Sequence, residues 1–163
     1  MSSDTLTTLA TLVGARLRAE GMLLATAESC TGGWVAQAVT AVAGSSQWFD
    51  RGFVTYSNAA KMEMLHVKSN TLRAHGAVSE QTAGEMATGA LASGHAHVAV
   101  AITGIAGPDG GTADKPVGTV CFAWAQTNRK VHAETRHLSG DRESVRRQSV
   151  IAALQGVLEM LDD

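Results

Sequence analysis

Thr26 to Trp34 reads TAESCTGGW, and this stretch decides the fold. A short apolar run, Leu23 to Ala27, leads into a knot of small and polar residues, Glu28 through Gly33. Val35, Ala36, Val39 and Val42 then recur at helical spacing, so the passage predicts strand, tight turn, helix. Such a turn sets Ser29, Cys30 and Thr31 at a helix N-terminus, where unpaired N–H groups and the dipole favour negative charge. Ser29 and Cys30 both carry nucleophile-capable atoms beside these donors. The residues alone leave Ser29 open as cap or nucleophile, and capping is the commoner use of a serine at a helix start.

Working outward, Leu6, Leu9, Val13 and Leu17 mark one face of a first helix, capped by Ser3 or Asp4, stopped at Gly21 and expected to cover the sheet. Beyond the opening unit, AGSS at 43–46 signals a loop. Trp48 and Phe49 precede a second strand, Gly52 to Tyr56, and Ser57 or Asn58 can cap a short helix over Ala59 to Leu65. A further short helix is expected at Ser69 to His75, and a longer one from Ser79 to about Ser93. Ala83, Gly84, Ala87, Gly89 and Ala90 in that helix predict close packing, on a sheet or on a partner subunit. Residues 98–103, VAVAIT, suit a strand buried on both faces. Residues 104–116, GIAGPDGGTADKP, form a loop holding both prolines. Gly118 to Ala125 and Val131 to Leu138 make an antiparallel hairpin, and a last helix runs from about Asp141 to Met160. Together these elements predict one α/β domain over residues 1–163, three layers deep, with a mixed, mostly parallel sheet and a late antiparallel hairpin.

A length of 163 residues supports one core, and 45% hydrophobic against 17% charged residues indicates a globular chain. The net charge of -2 argues against general nucleic-acid binding. No apolar run approaches a membrane span and residues 1–20 lack a signal-peptide pattern, so a cytoplasmic protein with no membrane partner is expected. Cys30 and Cys121, far apart and without ligand spacing, point to neither a disulfide framework nor a zinc site, and no metal is expected.

Ser29 lies beyond the carboxyl end of a strand, where open α/β sheets bind ligands. A serine nucleophile needs a base, and the sequence carries neither G-x-S-x-G nor S-x-x-K. The six histidines are scattered and none sits in an evident turn at a strand end. Lys61 falls in the first turn of its helix, where dipole and burial both lower an amine's pKa, as a lysine base requires. Tyr56 closes the neighbouring strand and reaches the same cleft. Each has a plainer reading, a solvated helix lysine and a half-buried strand tyrosine. Cys30 is either a thiol activated by a helix start or a small packed residue, the latter favoured. Glu28 either orients Lys61 or satisfies backbone N–H groups. The glycine loop is as well read as plain turns as a ligand cradle. Arg142 and Arg146, like charges one turn apart, are candidates for a phosphate or carboxylate contact, or two solvated side chains.

The motifs TAESCTGGWVAQAVT, GSSQWFDRGFVTYSNAAK, HGAVSE, ITGIAGPDGGTADKPVGTV and SGDRESVRRQ, in this order from Ala25 to Ile151, closely resemble the CinA C-terminal domain family. The resemblance implies hydrolysis of the carboxamide of nicotinamide mononucleotide to nicotinic acid mononucleotide and ammonia, in pyridine-nucleotide recycling. It places the nucleophile on Ser29 and the family's tyrosine and lysine on Tyr56 and Lys61, with no cofactor or metal needed. Thr31, Gly32 and Gly33 would surround the oxyanion and substrate amide, Thr103 and Gly104 would line the pocket, and Arg142 or Arg146 would meet the phosphate. A homo-oligomer is expected, a dimer first, and the small-residue helix is the only sign of it in the sequence. The competing readings are a nucleotide-binding module without turnover and an oligomerisation domain.

Overall fold

The computed structural model describes residues 2–162. Its centre is β1 (Leu24–Glu28), buried along its whole length between parallel strands β2 (Phe49–Val54) and β3 (Val98–Gly104). Antiparallel β4 (Thr119–Gln126) and β5 (His132–His137) extend the sheet, giving the order β2-β1-β3-β4-β5. The expected mixed α/β architecture with its late hairpin is what forms.

Alternation along the strands assigns each face its helices. Leu24, Val98, Val100, Ile102, Phe122 and Trp124 join one core with α1 (Ser2–Glu20), α2 (Trp34–Thr40) and α6 (Arg142–Asp162). Ala25, Ala99, Ala101, Ala123 and Ala125 join the other with α3 (Asn58–Leu65), α4 (Ser69–His75) and α5 (Glu80–Ala92). VAVAI is therefore two surfaces written in one strand, bulky towards α6 and methyl-sized towards α5. The small residues of α5 match that low surface. At Gly89 a Cβ would collide with the Leu65 carbonyl, so glycine is what lets α3 rest directly on α5. The small-residue helix is thus used within the chain, which removes the sequence's one sign of a partner subunit.

Three boundaries depart from the sequence expectation. Strand β2 begins at Phe49, not Gly52, because it pairs with β1 from Leu24 onwards, and it ends at Val54, leaving Tyr56 in the loop before α3. Helix α2 begins only at Trp34, because Gly32 and Gly33 both take positive φ in the preceding turn, and it stops at Thr40, short of Val42. The role expected of Ser3 or Asp4 as cap lies on side chains outside the described residues, since α1 already runs from Ser2. Ser57, one of the two residues expected to cap α3, does so, accepting from Ala60 N, and Ser79, expected as the first residue of its helix, stands one place before α5 as its cap, accepting from Thr82 N. No helix among the described residues is long and apolar enough to cross a membrane.

From β1 the chain turns to the α2 side of the sheet, and from β2 to the α3 side. Connections leaving adjacent parallel strands for opposite faces open a crevice at their carboxyl ends.

Candidate active site

The crevice is built on a turn held by a buried carboxylate. Glu28, 1% exposed, ends β1 with its side chain under the N-terminus of α2. Its Oε1 accepts from the Thr31 hydroxyl (2.6 Å), Gly33 N (3.2 Å) and Val35 N (2.9 Å), and its Oε2 from Ala36 N (3.0 Å). Negative charge at a helix start is favourable, and charge-assisted bonds of this kind are among the strong ones. Of the two roles open to Glu28, satisfying backbone donors is the one its contacts show. The anion-binding end of α2 is consequently filled from within, so Ser29 neither caps that helix nor faces its free N–H groups.

Ser29 instead faces α3. Its Oγ lies 3.0 Å from Lys61 Nζ, and the amine also meets the carbonyl oxygens of Thr55 (2.9 Å) and Tyr56 (3.2 Å). Lys61 is 1% exposed, and burial pulls its pKa below the ordinary lysine range, against a weaker opposing effect of the Cys30 thiol. All three oxygens lie within donor reach of Lys61 Nζ. In its neutral form the amine has two N–H donors and one lone pair; with both hydrogens on the carbonyls, which can only accept, the lone pair is left for the Ser29 hydroxyl. The Ser29 hydroxyl also reaches Tyr56 O as a donor, at 3.5 Å, the same carbonyl that Lys61 meets. Cys30 is a packed residue: it is buried, and desolvation pushes its thiol up to about 11, away from thiolate reactivity.

A cavity of about 180 Å³ opens over this pair. Of the residues expected at the site, Ser29, Lys61, Tyr56, Thr103, Gly104 and Arg142 line it, while Thr31, Gly32, Gly33 and Arg146 do not. Thr31 is fully buried and turned to Glu28. Tyr56 meets Lys61 through its carbonyl; the residue is 63% exposed and its hydroxyl lies 3.4 Å from the Arg142 guanidinium. Arg142 also donates to Gly107 O (2.8 Å), tying α6 to the glycine loop. Arg146, one turn on, sits behind the nucleophile turn, donating to Cys30 O (3.0 Å) and Thr31 O (3.1 Å). Asn58, Ala77, Val78 and Ala106 also line the cavity and were not expected there. Asn58 stood in the sequence only as a possible cap, and Ala77 and Val78 sit in HGAVSE, a motif with no chemistry of its own. Among the described residues no cluster of His, Cys, Asp or Glu has metal-site geometry.

These features define an α/β domain with a lysine-paired serine in the crevice at the carboxyl edge of its sheet. The chain belongs to the CinA C-terminal domain family, whose sequence pattern matches residues 6–161. It is 54% identical over 158 residues to a protein of Enterobacter agglomerans named nicotinamide-nucleotide amidohydrolase PncC, covering 97% of this chain and 96% of that one. It is 52% identical over 157 residues to the protein of the same name from Pseudomonas putida, covering 96% and 98%. The crystal structure of the competence/damage inducible protein CihA from Agrobacterium tumefaciens superposes with a TM-score of 0.93 at 46% identity, over 98% of this chain and 96% of that one.

Proposed function

We propose that the chain hydrolyses the carboxamide of nicotinamide mononucleotide to nicotinic acid mononucleotide and ammonia through an acyl-enzyme on Ser29, as a cytoplasmic step of pyridine-nucleotide recycling. The observation that carries the chemistry is the Lys61 amine, buried, bonded to two carbonyls and 3.0 Å from the Ser29 hydroxyl. The substrate follows from the relatives named nicotinamide-nucleotide amidohydrolase.

In the proposed cycle, neutral Lys61 takes the Ser29 proton as Oγ bonds to the carboxamide carbon, and the carbonyl becomes an oxyanion. Within the turn, Gly32 N is bonded to Ser29 O and Gly33 N, Val35 N and Ala36 N to Glu28, which leaves the N–H of Cys30, a residue on the cavity wall, as the oxyanion donor. The protonated amine then gives its proton to the departing nitrogen, the C–N bond breaks, and ammonia leaves. Water, deprotonated by the same amine, attacks the ester, and the proton returns to Ser29 Oγ as nicotinic acid mononucleotide is released. Tyr56 acts through the carbonyl that orients Lys61.

The cavity of about 180 Å³ is smaller than the roughly 300–1,000 Å³ that encloses a drug-sized ligand. It therefore takes the carboxamide and pyridine ring and leaves ribose and phosphate at the mouth, where Arg142 supplies the guanidinium for the phosphate. Ammonia release from nicotinamide mononucleotide, with intact-mass detection of the acyl adduct, tests the reading. Wild type should release ammonia and Ser29→Ala should not while remaining folded. Activity that survives Ser29→Ala and is lost in Cys30→Ala would assign the wrong nucleophile. An Arg142→Ala variant that keeps the full preference for the mononucleotide over its riboside would remove the phosphate contact.

A further inference from the structure

Thr103 sits beside the nucleophile, one strand over. Glu28 pairs with Ile102 across β1 and β3, and Ser29 N continues that ladder onto Ile102 O (3.0 Å), which sets Ser29 next to Thr103. Two residues earlier, Ala27 and Ala101 pair in the same way and belong to the α5-side core, so Ser29 and Thr103 face that side too. The Ser29 contact with Lys61 on α3 agrees with this. Thr103 is 1% exposed and lines the cavity over the pair. Neighbouring strands lie about 5 Å apart, so a carboxamide whose carbon meets Ser29 Oγ brings its nitrogen or its oxygen to the Thr103 side chain.

The hydrogen of the Thr103 hydroxyl is already committed. It is donated to Ala77 O (2.9 Å), since a carbonyl oxygen can only accept. Among the described residues no N–H or O–H bonds to Thr103 Oγ1 in return. Ala77 is held in place by its neighbour: Gly76 O accepts from the Ser79 (3.0 Å) and Thr82 (2.7 Å) hydroxyls at the start of α5. The motif HGAVSE thus has a chemical use, which is to occupy that one hydrogen and leave lone pairs as the wall beside Ser29. A carboxamide carries two N–H donors, whereas an ionised carboxylate carries none and would set oxygen against oxygen. We infer that Thr103 is a specificity-determining residue that accepts an N–H of the substrate carboxamide and rejects the carboxylate of the product. The same contact fixes the pose, because nitrogen on Thr103 leaves the carbonyl oxygen for Cys30 N–H. This role rests on the acyl-transfer reading above and adds a drive for product release that Ser29 and Lys61 do not supply.

The test compares wild type, Thr103→Ser and the isosteric Thr103→Val on nicotinamide mononucleotide, nicotinic acid mononucleotide and the methyl ester of the latter, which has no N–H. In Thr103→Val, kcat/KM for the amide should fall about tenfold to a hundredfold, while Thr103→Ser stays within about threefold of wild type. Turnover of the methyl ester should not fall in Thr103→Val. Product inhibition by nicotinic acid mononucleotide should tighten about threefold or more in that variant, because the opposing oxygen is gone. A merely structural role would weaken all three ligands together. Equal losses on amide and ester, or product inhibition that weakens along with the amide, overturns the inference. If Thr103→Val does not fold, affinity decides in a Ser29→Ala background with Thr103 intact. There calorimetry should show the amide bound at least about tenfold more tightly than the acid, and equal binding overturns the inference. Wild type that releases no ammonia from the mononucleotide yet hydrolyses p-nitroacetanilide and p-nitrophenyl acetate rejects the substrate reading alone. The amide-against-ester comparison on that second pair then decides the role of Thr103. Hydrolysis of neither pair rejects acyl transfer and the inference with it.

Discussion

Replacing Lys61 with methionine keeps its length and removes its nitrogen. The catalytic loss can be set from what the nitrogen contacts. With no lone pair 3.0 Å from Ser29 Oγ, the serine loses its base, and a positioned base is worth roughly 10²–10⁴ in rate, or about 3–5 kcal/mol of barrier. The cost to the fold is smaller. Thr55 O and Tyr56 O each lose a donor at about 1–3 kcal/mol, and this is offset in part because a polar amine no longer has to be buried. A net loss of about 1–4 kcal/mol sits below the roughly 5–15 kcal/mol that ordinarily holds a domain together, so the variant should fold. The pH behaviour separates a base from a spacer. In wild type, kcat/KM should rise with pH as Lys61 loses its proton and level off before pH 10.5, the ordinary lysine value, because burial lowers the folded pKa. Stability should move in the same direction. Between the depressed folded pKa and 10.5 the unfolded chain binds the extra proton, so stability rises with pH through that window and is diminished below it. Lys61→Met should lose both dependences. Ammonia release across a pH series and urea melts at matched pH measure them. A variant within tenfold of the wild-type rate, or one retaining the same rising limb, would refute lysine as the base.

Three other changes test the scaffold. Glu28→Ala strips a buried carboxylate from three N–H groups and a hydroxyl; it should cost about 3–5 kcal/mol in urea unfolding and abolish activity, with Glu28→Gln intermediate on both scales. Cys30→Ala should keep at least half of kcat, and wild-type Cys30 should resist iodoacetamide at pH 8 until unfolded, because burial holds its thiol near 11. Gly89→Ala should destabilise by more than about 2 kcal/mol in thermal melts, as its methyl group would strike the Leu65 carbonyl, and should lower kcat through displacement of α3.

Periodicity carried most of the fold. VAVAIT suited a strand with two covered faces, and the cap at Ser57 follows from where a hydroxyl precedes a helical pattern. The start of β2 was illegible because it is set by pairing with β1, a non-local term that local β-propensity does not contain. The candidate pair was half legible. Ser29 and Lys61 each stood at a suitable strand or helix end, yet no spacing along the chain says that two residues 32 apart share a hydrogen bond. The family resemblance joined them. Glu28 stayed undecided because a carboxylate at a strand's end can serve either face, and only the pleat put it under α2. Arg142 and Arg146 looked equivalent at i and i+4; one turn of helix is enough to put the first on the cavity wall and the second behind the serine.

The methyl-sized face of the sheet has a consequence for how change can be absorbed. On the α6 side, large side chains with several rotamers can repack around a substitution. On the α5 side the facing surfaces have little to rearrange: Ala99, Ala101 and Ala123 share one core with Ala83, Ala87 and Ala90, and α5 meets α3 against backbone at Gly89, with Met86, Leu65 and Val67 as the larger side chains of that layer. A methylene added between the alanines pushes α5, and α3 with it, away from the sheet. Lys61 rides on α3, so the reach of the amine to Ser29 is gauged by the thickness of an alanine layer that touches neither residue's reacting atom.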